Sequence, residues 1–228
     1  MKQSLPFRGP SLLLLALVHI LIFITGIVAV VMLRRGALYV NPYAPADTIR
    51  AFLAQNPAAV RIGNFLLFGS AVPFGIFAVT VVSRLRYLGI RAAGTNIALL
   101  GGLIATFALI LSGLFGWVLS LPEVTASASL AKGISFLSFL FGGATYAIGF
   151  GLLAAGVSVT SFFARTLPRW LVFLGMLVAI TGVLSWFSLL AYPANFFIPI
   201  TRYIGFIWML LAAIKLTRRQ PAVSAVTA

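Results

Sequence analysis

Six long apolar runs, separated by short polar or basic breaks, dominate this chain. They cover about residues 11–33, 60–82, 96–119, 134–162, 170–192 and 196–216. Each is long enough to cross a hydrocarbon core of about 30 Å, which takes about 20 residues of helix. The predicted fold class is all-α: a polytopic integral membrane helix bundle with about six transmembrane helices. One domain spans 11–216, with a cytoplasmic N-terminal tail over 1–10 and a disordered cytoplasmic tail over 217–228. A shorter pattern stands between the first two runs. Asp47 is a good N-cap and Asn56-Pro57 a good stop, and Ile49, Phe52 and Leu53 share one helical face. They predict a short amphipathic surface helix over 47–56, lying against the bilayer or capping the bundle. Tyr39 and Tyr43 are the amphipathic aromatics expected at headgroup level.

Two runs carry internal punctuation. The second holds Pro73, which bends a membrane helix and frees a carbonyl that neighbouring helices must satisfy. The fourth contains FGGATYAIGFGLLAAGVSV, residues 141–159, with no charge in it. Gly143, Ala147, Gly151 and Ala155 recur every four residues and predict a ladder of small side chains on one helix face. Lipid tails are as apolar as leucine, so close backbone approach over small residues is a main source of helix attraction. The ladder can pack within the bundle or between protomers, so a second copy or another membrane protein is an expected partner.

Composition sharpens the class. The chain is 62% hydrophobic and 8% charged, against roughly 25% charged in soluble domains. Sixteen Lys and Arg face two acids, for a formal charge of +14. The basic residues sit mostly at the ends of apolar runs, where they read as topology anchors and partners of anionic headgroups, not of nucleic acid. With the N-terminus inside, ten of them fall on the cytoplasmic side and six outside. This places both termini in the cytoplasm, with Arg34-Arg35 as the discordant pair. The first run is longer than a signal-peptide core and has no small-residue cleavage site, so it is expected to remain as a span.

Candidate chemistry is sparse. No cysteine is present, which excludes disulfides and thiolate sites. His19 is the only histidine, too few for a metal or bis-histidine haem site, and its expected role is a hydrogen bond to a neighbouring helix. No acid lies inside a run to pair with a base, and no glycine cluster forms a phosphate cradle. No enzyme activity, metal or cofactor is expected. Arg202 stands several residues inside the last run. It either snorkels to the headgroups or faces a cavity as a functional intramembrane charge. In the second case Arg61, Asn64, Arg202 and Tyr203 are the candidate pocket, since guanidinium suits carboxylate and phosphate. Pro57 before Arg61 and Pro199 before Arg202 echo each other, a single trace of a three-plus-three duplication.

The Pro42-Tyr43 loop, the PADTIRAFLAQNP helix, the RIGNFLLFGS stretch and the LR-rich basic cluster after it resemble a group of small bacterial multi-spanning membrane proteins classed as a domain of unknown function. The resemblance implies a bacterial inner membrane location and no particular activity. The first functional expectation is a non-enzymatic scaffold, sensor or partner subunit of the plasma membrane. The alternative is a small transporter or lipid- or anion-binding protein with an outward-facing pocket near Arg61 and Arg202.

Overall fold

The computed structural model describes residues 7, 9–35 and 40–219. Tyr39, most of the N-terminal tail and the tail from 220 onward lie outside the described residues. Among the described residues every regular element is helical. Helix α1 spans Leu12–Leu33, α2 Ala46–Gln55, α3 Pro57–Tyr87, α4 Ala93–Val118 and α5 Pro122–Thr125. Helix α6, Ala128–Leu140, runs through a π-helical turn at Phe141–Thr145 into α7, Tyr146–Ala164. Helix α8, Arg169–Leu184, and α9, Phe197–Thr217, are joined by two 3-10 turns. Six of the resulting apolar helices are long enough to span a bilayer, which makes this a multi-pass integral membrane protein.

Local chemistry explains the boundaries and corrects several expected ones. Ser11 caps α1 by accepting the Leu14 N–H at 3.3 Å. The cap of α2 is Pro45, not Asp47, which lies in the first turn and pairs with Arg50 at 3.8 Å. Asn56 ends α2 and Pro57 opens α3, where its missing N–H costs nothing. The stretch before residue 134, expected as a loop, is helical from Ala128 because Ser127 caps it. The fourth span is therefore a continuous helix of 37 residues, about 55 Å long at 1.5 Å per residue. The fifth run leaves α-geometry after Leu184, where the Ser185 hydroxyl donates back to the Gly182 carbonyl at 2.6 Å. Gly89 ends α3 in the left-handed region, φ 86°, which a glycine adopts without steric cost.

Helix α7 is the centre of the bundle, gripped from two sides. Toward α4, Gly149 meets Gly101 and Ala105, and Gly156 meets Gly94 and Ala98. Toward α8, Gly151 and Ala147 meet Gly182. The expected ladder thus supplies only the α8 contact, through Ala147 and Gly151, and both contacts lie within one chain. Gly143 lies within the π turn, which inserts an extra residue and rotates it toward Ile198; Ala155 is half-buried. The second face, Gly149 and Gly156, is seven residues apart and repeats the logic toward α4.

The buried apolar residues form two clusters. The larger fills the bundle around Phe74, Phe150, Leu153 and Trp208 and extends to the end that carries both termini. The smaller sits at the opposite end, where Ile49, Phe52 and Leu53 of α2 pack with Val60, Leu119, Val124 and Ala131. Helix α2 therefore caps the bundle. At the terminal end, buried Arg84 donates to the carbonyls of Leu216 and Thr217 at 3.2 and 3.1 Å, and its guanidinium lies over Phe7 and Tyr87. This basic residue, expected as a headgroup anchor, satisfies the last carbonyls of α9.

A Cβ at Gly149 would stand 2.5 Å from the Ala105 nitrogen, whereas one at Gly133 meets nothing within 4 Å. Gly149→Ala is expected to cost about 1–3 kcal/mol by overpacking. Gly133→Ala should be neutral or add up to about 1 kcal/mol of helix propensity. Equilibrium unfolding of the two variants in mixed micelles checks the contrast.

Candidate functional site

Between the two apolar clusters the helices part and enclose a cavity of about 390 Å³. Its wall is built by α1 (Phe23, Gly26, Ile27, Val30, Val31, Arg34), by α2 (Ile49, Phe52, Leu53) and by α3 (Val60, Gly63, Asn64, Leu67). Helices α4 and α6 add Ser112, Ser135, Ser138 and Phe139, the π turn adds Gly142 and Gly143, and α9 adds Ile198 and Arg202. The size and the mostly apolar lining with a few polar groups are those of a ligand site. Glycines make the room: a side chain at Gly116 would displace Asn64, and one at Gly142 would displace Ser112.

Arg202 is the chemical centre of this wall. It sits in the second turn of α9, half-buried, and donates to the Gly142 carbonyl in the π turn. Its guanidinium lies 5.1 Å from the Phe23 ring centre and 4.9 Å from that of Tyr146. A π turn takes carbonyls out of the regular i→i+4 ladder, a distortion common at functional sites. The two rings and the carbonyl hold the cation at depth without a carboxylate. Arg202 therefore faces the cavity and ties α9 to α1 and to the π turn.

The other polar groups have mostly spent their hydrogens. Ser112 donates to the Ser138 carbonyl at 2.8 Å and Ser138 to the Ser112 carbonyl at 3.0 Å, a reciprocal clamp between α4 and α6. Ser135 donates to Ala131 and Asn64 to Val60, both at 2.8 Å. Strong donors on the wall thus come from the arginines. The wall holds Arg34 and Arg202 and no aspartate or glutamate.

Of the four expected pocket residues, the structure brings together Asn64 and Arg202. Arg61 leaves the wall: it is exposed, its Nε donates to Ser120 Oγ at 3.2 Å, and its guanidinium lies over Trp117 at 5.9 Å. Tyr203 follows Arg202 by one residue, and the 100° step of a helix turns it to the outer surface, where it is exposed. Arg34 was missed, although its discord with the charge count was a signal. The pattern shows Ile49, Phe52 and Leu53 as one packing face, but not that this face closes a cavity or that Ser112 pairs with Ser138, because those partners meet only in three dimensions.

His19 is fully buried beneath the site. Its Nδ1 donates to the Ser70 carbonyl at 2.8 Å, one turn before Pro73. Phe23, Phe74 and Phe206 surround the ring. No group of three metal-ligating side chains occurs among the described residues. No family model, curated protein or solved structure matches the chain.

Arg202→Ala removes a charge-assisted hydrogen bond and two cation–ring contacts, and is expected to lower stability by about 2–4 kcal/mol. Arg202→Lys keeps the charge but not the planar fork, and should lose about half as much. Denaturant unfolding of both variants beside the wild type measures the difference.

Proposed function

We propose that this protein is a non-enzymatic membrane protein of the plasma membrane that binds an organic anion in the cavity at Arg202. The observation that carries the reading is the cavity itself, an apolar chamber whose strong donors are Arg202 at depth and Arg34 at its rim. Guanidinium is planar, permanently charged and matched to carboxylate and phosphate, so a positive apolar wall selects an anion with an apolar body. A pure scaffold accounts for the tight packing of α7 but leaves this chamber without a role. Helix α2 closes one end of the chamber, which suits a sensor or carrier whose surface helix responds to occupancy.

The bacterial inner membrane, with both termini cytoplasmic, is the proposed setting, and the cavity then lies toward the outer face. Support comes from the excess of Lys and Arg at the terminal end. Arg34 fits this orientation better once it is read as a cavity residue rather than a headgroup anchor.

Ligand binding is tested by thermal unfolding of the purified protein in neutral detergent with a panel of organic carboxylates and phosphates. An anion at one hundred times its Kd should stabilise the protein by about 2.7 kcal/mol. The gain should vanish in Arg202→Gln, judged against that variant's own ligand-free melting. No stabilisation by any anion excludes the reading. Orientation is tested separately with Ser127→Cys, in a chain without native cysteine. An impermeant maleimide should label it on intact cells, and an expressed but unlabelled protein would invert the topology.

A further inference from the structure

Access to the cavity is decided by which walls are closed. The cap end is covered by the apolar face of α2, through Ile49, Phe52 and Leu53. A hydrated anion arriving there would be stripped of water against side chains that offer no hydrogen bond. The flank along α1 is different. Helix α1 packs on α3 and α9, while α6 packs on α4 and α2, and the cavity lies between these two groups. On that flank Ile27 and Val31 both line the cavity and are 40% and 52% exposed, and Ile24 and Val28 beside them are exposed without lining it, so this edge of α1 reaches the bundle surface. In a membrane-spanning helix such a surface meets lipid.

The geometry points to a lateral portal along α1, through which the cavity takes a single-chain anionic amphiphile from the bilayer. This rests on the anion-binding reading above and names the source and class of the anion. The carboxylate or phosphate head meets Arg202, and the chain leaves past Ile27 and Val31 into the hydrocarbon. Phe23, which flanks the Arg202 guanidinium, and Arg34 are eleven residues apart on α1, about 16 Å along the axis. Arg34 therefore stands near the rim, where a cation draws anionic headgroups toward the portal. Arg202 is the inner station. The wall between them, Ile27, Val30 and Val31, is apolar and complements a chain.

The test uses the full-length protein in neutral detergent, with native mass spectrometry and thermal unfolding as readouts. The probes are oleate, oleoyl lysophosphatidate, oleyl alcohol, acetate and inorganic phosphate. The variants are Arg202→Gln and Ile27→Trp, the latter placing a bulky ring in the portal at a surface position. Size exclusion and helical circular dichroism establish that each variant is folded.

Oleate or the lysophosphatidate should bind at least tenfold more tightly than oleyl alcohol, and acetate and phosphate should not bind at hundredfold higher concentration. Ile27→Trp should weaken the long-chain anion about tenfold, and Arg202→Gln should bring it to the level of the alcohol. Equal binding of acetate or phosphate, untouched by Ile27→Trp, overturns the lipid source and leaves the anion site standing. Long-chain binding that ignores Ile27→Trp overturns the portal. Binding of the alcohol as tight as that of oleate, or of no probe at all, overturns the anion reading and this inference together.

Discussion

Helices in lipid gain nothing by hiding leucine from their surroundings, so they hold together where their backbones can touch. In this protein that condition is met along α7. Gly149 and Gly156 admit α4, and Gly182 of α8 admits α7, at distances that no side chain would permit. The large ring cluster around Phe74, Phe150 and Trp208 then fills the space that these contacts define. Polar groups follow the same economy. His19 bonds to Ser70, Thr201 to Thr181, and Arg84 to the end of α9, so hydrogen-bonding groups tie helices together where water is absent.

The cavity exists because this close packing stops. Beyond the π turn the small-residue contacts of α7 end, and α6 continues toward α2 and α5 to build a second, smaller cluster. The gap between the clusters is the chamber. The π turn marks the change: it rotates Gly143 off the ladder and offers the Gly142 carbonyl to Arg202. One local distortion thus ends the tight packing and anchors the cation. A guanidinium set between the Phe23 and Tyr146 rings and bonded to the Gly142 carbonyl keeps its charge at depth, because ring faces and a carbonyl dipole replace part of its hydration.

Charge distribution serves two separate purposes. At the terminal end Arg84 is consumed by α9, while Arg86, bonded to Asn96 at 2.8 Å, and Arg91 remain at the surface. At the other end Arg61 is held by Ser120 and Trp117, and Arg34 lines the chamber. A count of basic residues treats all of these alike, although only some of them face headgroups.

The six spans, the amphipathic α2 and the importance of small residues in the fourth span were legible in the amino-acid pattern, because each depends on local composition and on the period of a helix. Arg202 was legible too, since a charge inside an apolar run is costly wherever it points. The pattern did not reveal that Arg61 turns to Trp117, that Tyr203 faces outward, or that Arg34 joins the cavity. Those outcomes depend on which neighbours a long side chain can reach. Nor did it show the second glycine face toward α4 or the π turn, which changes the helical register after Leu140. Sequence alone determined that this chain crosses a membrane and carries a cation within it. Tertiary packing decided that the cation looks into a chamber, because a cavity is defined by where several helices fail to meet.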